Sequence, residues 1–420
     1  MPGWIKGVFM VSASLTVFLV FGVLWNQVAA KDEDYKNLVV FNEVMRKVQD
    51  SYVEKPDLRK LTLGALRGLA FGVDVFSCYL SPEEKKFVDA RKEFAAFSTG
   101  IILAPRSGFY RVMAVRPGSS AEKAGILPGD LLEEIEGRGT SEMPLPYVQA
   151  MLTGPAGSEV KVGIQRGQDD DMRELALKRE SFTPSAPEFR ILEPGYGYLK
   201  VREIHDKATD EVRRALNTLV SSGVKHLVLD LRDCCTGTVE EGLDIANLFV
   251  ASGTLAVRLV HGGDRAALPA APEKAVFTGP LVILVNGFTS GPSELVAAAL
   301  KDNGRGRLVG LKTLGTASEQ NWQDLPDGSA LYLTSARYLT PSGQAITHEK
   351  YNQAGIRPDL KSPPEDFALS LYIDYEMSTG DESVSLYRKY VDSVYEKQLE
   401  QAVDLLKNPE KDLRASVVEN

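Results

Sequence analysis

The chain has 420 residues, 44% apolar and 25% charged, the composition of a folded protein with length for roughly two or three domains. Lys and Arg number 48 against 57 Asp and Glu, a net charge of −9, so no basic excess exists to neutralise phosphates, and nucleic-acid binding is excluded as the main role. Three cysteines are too few for a disulfide scaffold. The four histidines (His205, His226, His261 and His348) show no zinc-ligand spacing, so neither a metal nor another cofactor is expected.

Residues 1–30 read as an export segment. Lys6 precedes an uncharged run from Gly7 to Trp25, 19 residues. As a helix rising 1.5 Å per residue, this run spans roughly 28 Å, close to the hydrocarbon thickness of a bilayer. Val28-Ala29-Ala30 then fits a small-residue cleavage site. An uncleaved anchor and a cleaved signal both remain open. Both put the body outside the cytoplasm, in the periplasm or cell envelope, or secreted if the segment is cleaved. The acidic Lys31-Asp32-Glu33-Asp34 stretch agrees with that orientation.

Residues 31–95 are expected to be helical. Leu38, Phe41, Val44, Met45 and Val48 recur at three- and four-residue steps, Pro56 interrupts, and Leu58, Leu61, Leu66 and Leu69 follow. Ser81-Pro82-Glu83-Glu84 predicts an N-cap, a proline at the first helical position and acidic residues in the first turn. Residues 96–180 predict a compact β-rich module, with strands over Phe109–Val115, Leu131–Ile135, Val160–Gln165 and Glu174–Leu177. Its turns are Arg116-Pro117-Gly118 and Pro128-Gly129-Asp130, and a short helix covers Ser120–Gly125. Residues 181–362 predict an α/β core. Apolar runs at Tyr198–Ile204, His226–Leu231 and Leu281–Val285 alternate with helical patterns at Lys207–Ser221, Val239–Ala251 and Ser293–Asn303. Sites in such folds gather where strands end and helices begin, here after Leu231 and Val285. Residues 363–420 predict a charged helical tail carrying Tyr372, Tyr375, Tyr387, Tyr390 and Tyr395, which packs on the body or on a second copy as a homodimer contact.

Several stretches together resemble the carboxyl-terminal processing peptidases, also called tail-specific proteases. Val48 to Glu84 is similar to their N-terminal helical region. The run Val115-Arg116-Pro117-Gly118 through Leu127-Pro128-Gly129-Asp130 is similar to their PDZ domain. Leu229-Asp230-Leu231-Arg232, Asn286 to Glu294, Gly310 to Gln320, Thr340-Pro341-Ser342-Gly343 and Gly355-Ile356-Arg357-Pro358-Asp359 follow the family's peptidase core in order. The resemblance implies a multi-domain α+β fold: a helical N-terminal region, a PDZ domain, a ClpP/crotonase-like α/β core and a helical C-terminal tail. It also implies that Thr99-Gly100-Ile101-Ile102-Leu103 is the loop and strand edge that receive a peptide's C-terminus. Backbone N–H groups would hold the carboxylate there, and Ile101 and Leu103 would line the pocket.

The family's chemistry uses a serine nucleophile and a desolvated lysine as base. Counted from Glu294, the nucleophile position is Gly291. The lysine position, 25 residues on, is Thr316, while Gln320 fills the glutamine position four residues further. The family's oxyanion hole takes an N–H from the residue after the nucleophile, here Pro292, which has none. A second donor comes from a Gly-Gly turn, here Thr236-Gly237. The expectation is a pseudopeptidase that binds protein C-termini or extended segments and partners an active protease or an envelope assembly.

An alternative is an active serine endopeptidase with a relocated dyad of Ser290 and Lys312, 22 residues apart, in which Gly291 supplies the oxyanion N–H. A purely structural subunit dimerising through its helical ends is a third reading. Ser293 is expected to face the first helical turn, and Ser318 to lie in a loop. Cys234 and Cys235 are expected as small buried side chains, with a vicinal disulfide or a pairing with Cys78 as alternatives.

Overall fold

The computed structural model describes residues 36–106, 108–166, 172–347, 354–362 and 380–410. The expected export segment, His348, Tyr372 and Tyr375 lie outside the described residues. Among the described residues, no helix is long and apolar enough to cross a membrane.

The chain divides into two compact units, Met1–Leu66 and Arg67–Asn420. In the first, a helix covers residues 36–51, where the three- and four-residue apolar spacing predicts one. After Pro56 a second helix starts at Leu58 and runs to Phe71.

In the second unit, helix Pro82–Arg91 begins as its sequence predicts. The Ser81 hydroxyl accepts from the Glu84 N–H at 3.3 Å, and the Glu84 carboxylate accepts from the Ser81 N–H at 3.0 Å. The β-rich module is an antiparallel sheet in the order Ile101–Arg106, Phe109–Val115, Leu131–Ile135, Glu159–Gln165, Arg173–Lys178. Alternating residues such as Val112, Leu132, Val160 and Val162 are buried under helix Leu145–Leu152. The Asp130 of the predicted turn is buried and accepts two 2.7 Å hydrogen bonds from Arg166, which ties the turn to the strand end. Among the described residues, strand Ile101–Arg106 lies at the sheet edge, with only Phe109–Val115 beside it.

The core sheet runs Glu188–Glu193, Tyr196–Lys200, His226–Asp230, Leu281–Val285, Arg307–Gly310, Leu360–Lys361; its first pair is antiparallel and the rest parallel. Continuous apolar runs form the central strands His226–Asp230 and Leu281–Val285 because both of their faces are covered. Leu227, Leu229 and Ile283 pack under helices Ala208–Ser221, Val239–Asn247 and Pro292–Asp302. Val228, Val282 and Leu284 face the other way and meet Ala402, Leu405 and Leu406 of helix Gly380–Lys407. The helical tail therefore packs on the body of its own chain.

A further antiparallel sheet contains Cys78–Leu80, Ala330–Leu339, Thr254–Val260 and Arg265–Pro269, with Ser318–Asp324 also paired to Ala330–Leu339. Ser318 thus opens a strand, which corrects the expected loop. Its partner strand supplies the backbone bonds that the polar run Ser318 to Asp324 does not advertise.

Candidate active site

The site is built where strand Leu281–Val285 hands over to helix Pro292–Asp302. The intervening loop is tied to the end of strand His226–Asp230. The Asn286 carboxamide oxygen accepts from the Asp233 and Thr289 N–H groups, both at 3.1 Å, and Thr289 donates to the Leu231 carbonyl at 2.9 Å. Ser293 is fully buried. It donates to the Cys234 carbonyl at 2.6 Å and accepts from the Ser290 N–H at 3.1 Å, so it faces the first helical turn as expected.

Gly291 closes the loop at φ +60°, ψ −119°, backbone that strains an L side chain. A sharp, strained strand-to-helix turn is the geometry that projects a nucleophile in hydrolase elbows. A Cβ placed on Gly291 would stand 3.9 Å from Thr316 Oγ1. The two positions singled out by spacing therefore lie close in space, and neither a serine nor a lysine occupies them.

Glu294 holds this arrangement together. Its fully buried carboxylate accepts from Thr313 Oγ1 (2.5 Å) and from the N–H groups of Gly315 (2.6 Å), Thr316 (2.8 Å) and Gly291 (2.9 Å). Burial pushes its pKa up, against the pull of these donors. The Gly291 N–H is thus committed to Glu294. That corrects the expectation that it serves as an oxyanion donor beside Ser290, and the next residue, Pro292, has no N–H.

Ser290 is buried, and among the described residues no hydrogen bond engages its hydroxyl. It lines a cavity of about 160 Å³ with Cys235, Thr316, Ser318 and Gln320 on the core side and Ile102 and Leu103 on the PDZ side. Lys312 lines neither this cavity nor the larger one beside it. Burial, then the charge of Arg357, lowers the Lys312 pKa. Gln320 donates to Ser318 Oγ at 2.8 Å and Thr334 Oγ1 at 3.2 Å. Gly237 is exposed and lines neither cavity.

The expected peptide loop has Thr99 and Gly100 buried. Gly100 sits at φ +89°, and a Cβ there would fall 2.3 Å from that of Ser119, so only glycine fits. The Gly100 carbonyl accepts from the Arg116 N–H at 2.9 Å. Ile101 packs toward the core of its own module, and Ile102 takes the cavity-facing place beside Leu103. The second cavity, of about 740 Å³, runs from Phe71–Phe76 past Ala104, Pro105 and Met113 to Leu314 and Thr316.

Sequence reasoning missed two supports. Glu294 served only as a counting mark, although a glutamate at the third helical position is a known reach-back pattern. Tyr395, far along the chain, donates to Asp233 at 2.6 Å and lies over the buried Arg232, bracing the 233–237 turn. Arg232 in turn pairs with Asp230 at 2.6 Å.

The three cysteines are free thiols. Burial pushes Cys234 and Cys78 up to about 12, and Cys235 well above its ordinary range. All three are expected to react with iodoacetamide at pH 8 at least about 100-fold more slowly than free cysteine, and fully once unfolded, because only the thiolate attacks. Mass-spectrometric counting of alkylated cysteines measures this.

Comparison with known proteins bears on the family and the fold. The profile of peptidase family S41 matches residues 195–362 and that of the PDZ domain residues 111–166. The chain is 32% identical over 331 residues to a carboxyl-terminal-processing protease of Synechocystis, covering 76% of each chain. It is 27% identical to the carboxy-terminal processing protease CtpA of Bacillus subtilis, covering 96% of this chain and 88% of that one. A solved structure of a photosystem II D1 C-terminal processing protease superposes with a TM-score of 0.63 at 30% identity, over 78% of this chain and 93% of that one.

Proposed function

The chain belongs to peptidase family S41, the carboxyl-terminal processing peptidases, and from that premise we propose that it is a member that has exchanged cleavage for binding. It takes protein C-termini or extended segments through the PDZ edge strand and the adjoining cavities. The single observation that carries this reading is the pair Gly291 and Thr316, placed so that a Cβ added to Gly291 would stand 3.9 Å from Thr316 Oγ1, with neither a serine nor a lysine present. The occupied Gly291 N–H and the absent Pro292 N–H add to it, since one missing oxyanion donor already costs about 100- to 1,000-fold in rate. Held outside the cytoplasm by the Gly7–Trp25 run, the protein would present captured tails to an active protease or an envelope assembly.

A second reading, catalysis by Ser290 with Lys312, draws on one observation: Ser290 lines a cavity, and among the described residues no hydrogen bond engages its hydroxyl. One experiment separates the two. The full chain in detergent is incubated with an unstructured protein substrate and, separately, titrated with labelled peptides bearing free or amidated C-termini. Saturable binding weakened at least about 10-fold by amidation, with no cleavage, is the expected result. Cleavage abolished by both Ser290→Ala and Lys312→Ala would replace it with the second reading.

A further inference from the structure

The helix over residues 36–51 leaves much of an apolar face uncovered. Val40, Val44, Val48 and Tyr52 follow one another at steps of four. The Tyr52 N–H donates to the Val48 carbonyl at 3.1 Å, which carries the helical turn on to the tyrosine. Phe41 and Met45 form the row beside it. Val40 is 61% exposed, Val44 54%, Phe41 42% and Tyr52 60%, so among the described residues this face is open. Single exposed apolar residues need no explanation, but a row of this length marks a contact surface. The other side of the helix is charged. Arg46 and Lys47 pair with Glu43 at 3.1 and 3.8 Å, and Asp50 lies one turn beyond Arg46.

Two properties of this stretch identify what covers the face. The helix is too short and too charged to cross a bilayer. Its 16 residues rise about 24 Å, and Lys36, Glu43, Arg46, Lys47 and Asp50 carry charge. A helix with one apolar and one charged face lies along a membrane surface instead, and a tyrosine at the end of the apolar row suits the level of the headgroups. The second property is the connection. Only ten residues separate Lys36 from Trp25, the last residue of the uncharged run. Fully extended, that connection reaches about 40 Å. With the run in the bilayer, the helix is held beside lipid at a local concentration on the order of millimolar. A second copy has to arrive by diffusion, whereas the bilayer is already there.

We propose that this helix lies on the membrane surface, with Val40, Phe41, Val44 and Tyr52 at the boundary of headgroups and acyl chains and with Arg46 and Asp50 toward water. This rests on the anchor in the reading above and adds to it a second contact with lipid, independent of tail binding.

The test uses the full chain with one cysteine introduced per variant, Phe41→Cys, Val44→Cys, Arg46→Cys or Asp50→Cys, labelled with the fluorophore NBD. Burial keeps the native thiols protonated, so the introduced one reacts first, and the parent chain labelled in parallel gives the background. Each variant is placed, one chain per disc, in nanodiscs of phosphatidylethanolamine and phosphatidylglycerol. Labels at positions 41 and 44 are expected to be bleached by aqueous dithionite at least about 10-fold more slowly than labels at positions 46 and 50, and to be the ones quenched by doxyl-labelled lipid. Equal bleaching at all four positions, in chains that do enter the discs, overturns the surface helix and leaves the anchor standing. Slow bleaching at positions 41 and 44 without quenching by the lipid also overturns it, since protein then covers the face. A chain that does not enter the discs overturns the anchor, and this inference with it.

Discussion

Gly291→Ser combined with Thr316→Lys is expected to return measurable peptide cleavage, and adding Pro292→Ala to raise the rate by a further factor of about 100 to 1,000. The first change puts a hydroxyl on a Cβ that already faces position 316 at 3.9 Å. The second supplies an amine there, behind a loop held by Glu294. The third returns an N–H to the residue after the nucleophile, and the size of its effect is that of one oxyanion donor. Serine at φ +60° stores strain of about 1–3 kcal/mol, so the variants should melt earlier than the parent even as they gain activity. Single-turnover cleavage of a labelled peptide, read beside a melting curve, measures both effects. Equal inactivity of the double and triple variants would mean that the facing positions are not a dismantled nucleophile and base.

Glu294→Ala is expected to be among the most destabilising single substitutions in the chain. Five donors (Oγ1 of Thr313 and of Thr316, and the N–H groups of Gly291, Gly315 and Thr316) would lose a fully buried acceptor. Each orphaned donor costs about 1–3 kcal/mol, so a total loss above about 3 kcal/mol and a melting temperature lower by about 6 °C or more are expected. The pH dependence has a definite sign. Burial raises this carboxyl above its ordinary 4.5, so the folded chain binds the proton more tightly than the unfolded chain. The contribution of Glu294 protonation to stability is therefore lost as pH rises through the raised folded value. It grows as pH falls through that value, and is complete below about 4.5. The Glu294→Gln variant should lack that component in a series of melting curves against pH.

Much of the fold was legible along the chain. Strands Phe109–Val115, Leu131–Ile135 and Leu281–Val285 occur where apolar alternation or a continuous apolar run placed them, because burial of one or both faces imposes those patterns. The start of helix Pro82–Arg91 was equally plain, since a cap is a contact between residues three apart. Strand Ser318–Asp324 was not legible. Its residues are largely polar, and what makes it a strand is the ladder to Ala330–Leu339.

The candidate site divides in the same way. Counting residues was enough to single out Gly291, Pro292 and Thr316 as positions of interest, because the spacing from Glu294 can be read along the chain. The sequence by itself therefore determined the family and the order of elements. Only the tertiary structure decided that Gly291 and Thr316 lie close, that Glu294 takes the Gly291 N–H, that Lys312 lies outside the Ser290 cavity, and that the C-terminal helix braces the 233–237 turn of its own chain through Tyr395. Local pattern encodes which face of an element is buried. It carries no record of which distant residue is buried against it, and hydrogen bonds between residues more than a hundred positions apart exist only once the sheet has brought their strands together.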